Sequence, residues 1–167
     1  NGVRNTKDGG FIFAGTTNYN SLYETGWIAK IDSSGQPQWS LKLKSVNGSL
    51  SQASELNNGD FIAVGNLYLE FKGDNKGNIK SVSKSSNFIM RIDKDGKLIW
   101  QRSFFNTGKE ILNKVQQISD GNLIATGNVL NTEIAYILKL DQNNGNIIWM
   151  NQYANTENYN LARIIEN

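Results

Sequence analysis

One short pattern occurs three times along the chain, and it limits what the chain can fold into. In each copy an Asp is followed by a Gly three or four residues later, and by a Trp four residues after that Gly. The copies are IDSSGQPQW, with Asp32, Gly35 and Trp39; IDKDGKLIW, with Asp93, Gly96 and Trp100; and LDQNNGNIIW, with Asp141, Gly145 and Trp149. Such self-similarity indicates several copies of one supersecondary unit.

Each copy is preceded by the same kind of apolar, strand-forming run. The stretches DGGFIFAG, NGDFIAVG and DGNLIATG each begin with a turn and end with Gly, and a further apolar segment precedes each of them. Turn residues separate all these runs, which is the pattern of an antiparallel meander. The segment KEILNKVQQIS is the best helix candidate, but it occupies the place of a first strand, so we predict a strand there. One unit is therefore four short strands.

The repeat predicts an all-β fold made of β-propeller blades. A period near 50 residues with four strands per unit is typical of such blades, which stack because one blade cannot bury both of its faces alone. We place three four-stranded antiparallel blades at 3–47, 53–109 and 115–158, with 161–167 starting a further blade. Since a propeller closes with about 4 to 8 blades, the chain is predicted to be part of a larger ring.

The three recurrent residue types have structural roles in this fold. An Asp side chain accepts hydrogen bonds from the backbone amides of a tight turn, and Gly adopts the positive φ that the turn requires. The large apolar ring of Trp is best buried between adjacent blades, where it contributes about 2 to 3 kcal/mol. We therefore predict that these residues fold and dock the blades, and that none of them is catalytic.

The repeats resemble those of a known family. IDKDGKLIW and LDQNNGNIIW look like the tryptophan-docking repeats of quinoprotein-like, or PQQ-like, β-propellers, and DGGFIFAG with IDSSGQPQW is similar to repeats of bacterial secreted and lipoprotein propellers. The resemblance implies a location that is extracellular, at the cell surface or periplasmic. It does not carry over the quinone, because the chain has no vicinal cysteine pair and no evident cluster of metal-binding carboxylates. No cofactor is predicted.

Missing residue types exclude most catalytic machinery. The chain has no Cys and no His, which removes Ser-His-Asp and Cys-His arrangements, thiolate zinc sites and the usual general base near neutral pH. The DKDG run that starts at Asp93 is similar to the start of a calcium loop, but Phe104 stands where the distal Glu belongs, so no metal site is predicted. A carboxylate-based, glycan-active enzyme remains an alternative, through Glu24, Glu55, Glu70, Glu110, Glu133 and Glu157.

Charge and hydropathy limit the partners. The net charge is +2 and the Lys and Arg residues are scattered singly, so no nucleic-acid partner is predicted. The sequence has no apolar run long enough for a membrane helix, so no membrane insertion is predicted.

The connection between the second and third strands of the second unit is the longest of its kind, running from Gly65 to Phe88. Its alternating apolar residues before GDNKGN predict an extended hairpin that projects from the blade. Insertions on one face of a repeat protein often mark a binding surface, so we predict partner-binding residues there. They are Tyr68, Phe71, Lys72, Lys76 and Lys80. A solvated, tolerated insertion is the other interpretation.

Three functions follow from these patterns. The first is a non-catalytic, secreted or cell-surface scaffold that binds a protein or a polysaccharide. The second is structural self-assembly, in which the exposed end blades meet the remaining blades of a parent protein or other copies of the chain and complete a ring or fibre. The third is the glycan-active enzyme.

Overall fold

The structure, a computed structural model, describes residues 2–17, 25–43, 48–73, 79–104, 110–129 and 132–154, with the backbone alone at 68–73 and 79–85. The first four strands are β1 (Gly2–Asn5), β2 (Phe11–Thr17), β3 (Thr25–Ile31) and β4 (Pro37–Lys42). The next four are β5 (Gly48–Glu55), β6 (Phe61–Gly73), β7 (Ile79–Ile92) and β8 (Leu98–Phe104). The last four are β9 (Glu110–Gln117), β10 (Leu123–Val129), β11 (Ile134–Leu140) and β12 (Ile147–Ala154).

These strands form three four-stranded antiparallel sheets, ordered β1-β2-β3-β4, β5-β6-β7-β8 and β12-β11-β10-β9. Each sheet is a meander in which consecutive strands pair, and we call the sheets blades 1, 2 and 3 in chain order. The predicted all-β fold of three four-stranded blades is confirmed. The three sheets of the described residues do not close on themselves, as the prediction of a partial ring requires.

The strand boundaries refine the predicted units. Residues 110–117 of KEILNKVQQIS form β9, which confirms the predicted strand. Blades 2 and 3 begin at Gly48 and Glu110, upstream of the predicted unit starts at 53 and 115. The predicted further blade at 161–167 lies outside the described residues. In the part of the chain that the structure describes, no helix has the length and apolar character needed to cross a membrane.

Glycines near the end of the recurrent second strand allow the first strand to lie close. A Cβ on Gly65 would stand 1.9 Å from the carbonyl oxygen of Ser49, and one on Gly127 would stand 2.0 Å from that of Ile111. Both places coincide with a register shift in the pairing of the first and second strands. In blades 2 and 3 this Gly is therefore required by a bulge in the neighbouring first strand.

The hydrophobic core lies between the blades. The first strand of each following blade packs on the blade before it: β5 contacts β1, β2 and β3, and β9 contacts β5, β6 and β7. Alternate residues of blade 2 serve two separate clusters, as a strand with two buried faces requires. The cluster between blades 1 and 2 includes Ile12, Ile28, Phe61 and Met90. The cluster between blades 2 and 3 includes Ile62, Ile89, Leu123 and Leu138.

Candidate functional site

The turn between the third and fourth strands is built by its Asp. In blade 2, Asp93 Oδ1 accepts hydrogen bonds from the backbone amides of Asp95 and Lys97 at 2.9 and 2.8 Å. Asp32 accepts the equivalent two bonds in blade 1. In blade 3, whose turn is one residue longer, Asp141 accepts the first of them, and Asn144 Oδ1 accepts from the Asn146 amide. The turn glycines have φ of 84°, 85° and 72° at Gly35, Gly96 and Gly145. Turn chemistry thus accounts for the DKDG run that is similar to a calcium loop.

Trp39, the repeat Trp of blade 1, contacts the turn between β7 and β8 of blade 2. The indole Nε1 of Trp39 donates a hydrogen bond to the carbonyl oxygen of Lys94 at 3.0 Å. A Cβ on Gly96 would stand 2.9 Å from the Trp39 ring, so only Gly lets the ring lie this close to the turn. Trp39 also meets Phe61, the first residue of β6, edge to face. The Trp therefore contacts two separate elements of the next blade.

The junction between blades 2 and 3 repeats this arrangement with deeper burial. Trp100 donates from Nε1 to the carbonyl oxygen of Gln142 at 3.0 Å and is only 8% exposed. A Cβ on Gly145 would stand 2.6 Å from the Trp100 ring. We call the turn carbonyl, the turn Gly and the first residue of the second strand the Trp-docking site of a blade.

An ion pair within each blade supports the turn region, and the sequence interpretation missed it. Lys30 Nζ donates to Asp8 Oδ2 at 2.8 Å, and Lys139 pairs with Asp120. In blade 2 the cation is Arg91, whose Nε and Nη2 donate to Asp60 Oδ2 at 3.0 and 2.6 Å. The available signal was the basic residue that stands before Ile-Asp or Leu-Asp in every repeat.

Arg91 also joins two blades. Its Nη1 donates to the Gln142 carbonyl oxygen at 2.9 Å, which is the same oxygen that accepts from Trp100. The Arg91 and Asp60 side chains are 11% and 14% exposed, so this pair is largely removed from water. The docking site of blade 3 is thereby held by a charged group as well as by an indole.

Hydrogen bonds lower the pKa of three turn carboxyls. The hydrogen bond from Lys30, followed by those from Thr6 and the Gly10 amide, holds the pKa of Asp8 well below its usual range. The Lys139 ammonium does the same for the pKa of Asp120. The pKa of Asp32 is lowered chiefly by the Ser34 hydroxyl and then by the Gln36 amide, each of which donates to the carboxylate.

Blade 3 exposes a Trp of the kind that docks at the two internal junctions, and blade 1 exposes a turn of the kind that accepts it. Trp149 of blade 3 is 39% exposed. The Gly35 turn of blade 1 is exposed over residues 33–36, and a Cβ on Gly35 would meet no atom within 4 Å. The structure therefore places all three predicted docking triads in equivalent turns and strands, but only Trp39 and Trp100 lie on a neighbouring blade.

A cavity of about 480 Å³ opens where the first strands of the three blades converge. Its walls come from β1, β5 and β9 and include Arg4, Gln52 and Lys114. Gln52 is buried and bridges two blades, since its Oε1 accepts from the Val115 amide at 3.1 Å and its Nε2 donates to Ser54 Oγ at 2.9 Å. This cavity could not be predicted from the sequence, because the residues that line it are far apart along the chain.

The long hairpin of blade 2 is present in the backbone. Strands β6 and β7 pair from Phe61↔Ile92 outward to Gly73↔Ile79, whereas the equivalent pairing ends at Thr17↔Thr25 in blade 1 and at Asn128↔Ala135 in blade 3. The predicted residues Tyr68, Phe71, Lys72 and Lys80 lie in these strands, where only the backbone is described, and Lys76 lies outside the described residues.

The scattered glutamates have different surroundings. Glu55 Oε2 accepts from the Lys7 amide at 2.6 Å across the first blade junction. Glu110 is buried at the second junction, whereas Glu133 is exposed. Among the described residues, no three metal-ligating side chains are grouped so that they could hold a metal ion. Glu24 and Glu157 lie outside the described residues, and the Glu70 side chain is not described.

Comparison of the chain with models of known protein families gave no match, and comparison with curated proteins gave none either.

Proposed function

We propose that this chain is a non-catalytic β-propeller module of a secreted or cell-surface protein, which holds the hairpin of blade 2 out to a binding partner. The observation that carries the proposal is the length of β6 and β7, 13 and 14 residues, against 7 for the equivalent strands of blades 1 and 3. The repeat itself needs only the shorter strands, so the extension serves something other than blade stacking.

Among the described residues, the extension is a two-stranded ribbon that pairs with no third strand. Pairing of β5 with β6 ends at Gly48↔Leu67, and pairing of β8 with β7 ends at Asn87↔Phe104. Beyond these pairs the described strands of blade 2 pair only with each other. Each outer edge then presents backbone N–H and C=O groups, which an extended peptide segment can pair with by adding a strand. This favours a protein partner over a polysaccharide.

The charge of the extension indicates the chemistry of that partner. Residues 68–85 contain four Lys, one Glu and one Asp, so the net charge of this segment is +2. The net charge of the whole chain is also +2. Electrostatic attraction then steers an acidic segment towards the ribbon. We propose a protein partner with an acidic extended segment, which Lys72, Lys76 and Lys80 attract.

The experiment shortens the hairpin without disturbing the blade. Because Leu67 and Ser86 are cross-strand partners, residues 68–85 can be replaced by Asn-Gly, which closes a two-residue hairpin. The unmodified chain is expected to bind a fluorescent poly-glutamate peptide at low salt, and the shortened chain is expected to lose that binding while unfolding cooperatively in urea. A polygalacturonate probe tests the polysaccharide alternative in the same assay.

Two variants that lose the same charge distinguish peptide binding at the ribbon from attraction by the overall positive charge of the chain. Replacement of Lys72, Lys76 and Lys80 by Gln should weaken peptide binding by at least about tenfold, because three cations near the bound segment are lost. Replacement of the exposed Lys42, Lys94 and Lys97 by Gln removes the same charge elsewhere and should weaken it less than about threefold. Equal effects of the two triple variants, or no binding by the unmodified chain, contradict the proposal.

A further inference from the structure

The two internal junctions define what a blade needs in order to accept its predecessor. Each requires an indole from the fourth strand of one blade, a carbonyl oxygen that accepts from its Nε1, and a turn Gly that the ring covers. Both junctions satisfy this, with the donor and acceptor at 3.0 Å in each. The described residues contain a third indole of this kind, Trp149, and a third such turn, at Gly35.

The Trp-docking site of blade 1 matches that of blade 2 residue for residue. Gly35 corresponds to Gly96, and both have the same positive φ, at 84° and 85°. Phe11 begins the second strand of blade 1 as Phe61 begins that of blade 2, and Phe61 is the ring that Trp39 meets edge to face. Ser33 follows Asp32 as Lys94 follows Asp93, so its carbonyl is the equivalent acceptor.

The donor face of blade 3 matches the donor faces that are already docked. Trp149 stands opposite Lys139 in the β11–β12 register as Trp100 stands opposite Arg91 in the β7–β8 register. Four residues further along, Tyr153 is 50% exposed, whereas Phe104 packs on the core between blades 2 and 3. The same two ring positions that bury in blade 2 are open in blade 3.

We propose that the chain associates head to tail with a second copy of itself. Trp149 of one copy lies over Gly35 of the next copy, donates from Nε1 to the Ser33 carbonyl oxygen and meets the Phe11 ring edge to face. The contact is heterologous, since it joins two different surfaces, and it therefore continues into a ring or a filament according to the rotation between copies. It extends the stacking seen within the chain by the same contact.

A second copy is favoured over an unrelated partner because this chain carries both complementary halves. An unrelated partner would have to supply a left-handed turn Gly, a turn carbonyl beside it and an aromatic ring at the spacing of blade 2. Blade 1 supplies the Gly and the carbonyl on an exposed turn and the ring at Phe11, the first residue of β2. The inference is independent of the proposed hairpin function, because the contact lies at the fourth strand and turn and involves no residue of 68–85.

The test is the mass of the chain against concentration, measured by sedimentation velocity. The unmodified chain is expected to grow with concentration into species of two or more copies. The Trp149→Ala variant and the Gly35→Asn variant are each expected to raise the dissociation constant by at least about 30-fold, because each removes a central anchor of the contact. Asn suits the second change, since it tolerates a positive φ while placing a side chain over the turn.

Gly59→Asn is the matched control. Gly59 also has a positive φ, 89°, and open space at its Cβ, but its turn lies between first and second strands, where no Trp docks in the described blades. This variant should associate like the unmodified chain. Urea unfolding of all variants at low concentration checks that each one folds.

Mixing the two blocked variants distinguishes head-to-tail association from any symmetric contact. A chain with Trp149→Ala keeps its turn, and a chain with Gly35→Asn keeps its Trp, so the equimolar mixture is expected to form a one-to-one dimer that cannot extend. A monomeric unmodified chain at all concentrations, association that survives Gly35→Asn, or a mixture that stays monomeric would each overturn the inference.

Discussion

The rings of Trp39 and Phe61 meet edge to face, with their centroids 5.4 Å apart and their planes at 66°. The same indole donates a hydrogen bond to the carbonyl oxygen of Lys94. Phe61 begins β6, and Lys94 lies in the turn that follows β7. One side chain of blade 1 thus joins two elements of blade 2 that the chain itself connects only through β6 and β7. The interface between blades is therefore a nearest-neighbour contact that carries much of the stability of each blade.

The three Trp residues of the repeat, Trp39, Trp100 and Trp149, should contribute unequally to stability. Trp100→Ala is expected to lower the free energy of unfolding by about 3 to 5 kcal/mol, because it empties a buried space between blades and leaves the Gln142 carbonyl with one donor fewer. Trp39→Ala should cost less, since that ring is half-buried. Trp149→Ala should cost under about 1 kcal/mol. Urea unfolding at low protein concentration measures all three.

Trp149→Ala is the internal control of that series, since it removes the same side chain from the equivalent position of an open face. Equal losses at Trp100 and Trp149 would mean that the indoles act within their own blade and not on the next one.

The turn glycines provide a second measure of docking. Replacing either Gly35 or Gly145 by Ala should lower the free energy of unfolding by about 1 to 2 kcal/mol, because an L-residue adopts the left-handed backbone conformation unfavourably. At Gly145 the added methyl would also stand 2.6 Å from the Trp100 ring, whereas at Gly35 it would meet nothing within 4 Å. Gly145→Ala should therefore destabilise by about 1 to 3 kcal/mol more than Gly35→Ala. Thermal unfolding of the two variants tests this, and a smaller effect at Gly145 contradicts it.

Much of the fold was predictable because its signals are local. A turn that needs an Asp acceptor and a left-handed Gly restricts its own few residues, so Asp93 and Gly96 could be assigned without knowing their neighbours. The alternation of apolar residues in β6 likewise predicted a long strand. The first strands were harder: β5 begins with the polar run Gly-Ser-Leu-Ser-Gln, which offers no clear period, and its start was therefore predicted several residues late.

The ion pairs and the cavity could not be predicted in the same way. Arg91 and Asp60 lie on different strands and turns, so their contact depends on the β6–β7 register, which alternation does not fix by itself. The cavity near Arg4 and Lys114 requires the relative placement of blades 1, 2 and 3. The hairpin was predictable as a backbone feature, but its binding residues remain a prediction, since none of their side chains is described.

The buried ion pair of blade 2 should be costly to break from one side. Arg91→Met leaves the Asp60 carboxylate largely buried without its cation and removes the bond to the Gln142 carbonyl, so a loss of about 3 to 5 kcal/mol is expected. Adding Asp60→Asn should restore part of that loss, because the uncompensated charge disappears. Unfolding free energies of the single and double variants form the double-mutant cycle.

Lys94→Met provides the control for the Arg91 change. Its pair with Asp95 is exposed, at 73% and 63% of the two side chains, so this variant should change stability by less than about 1 kcal/mol. A double variant no more stable than Arg91→Met alone would show that the charge on Asp60 is not what makes the single change costly.

Acid should weaken the turn between β1 and β2 through Asp8, whose carboxylate pairs with Lys30 of β3. Its pKa is lowered in the folded chain, first by the hydrogen bond from Lys30. A carboxyl whose pKa is lowered by folding stabilises the folded state above its unfolded-state pKa, which is about 3.9 for Asp. This stabilisation is lost as the pH falls from that value towards the lower pKa of the folded state. Because Asp8 is half-exposed, the contribution should be no more than about 1 kcal/mol. Asp8→Asn and Lys30→Met should both reduce the fall in unfolding free energy between pH 5 and pH 3, measured in urea. An unchanged fall in both variants would show that this pair does not link protons to folding.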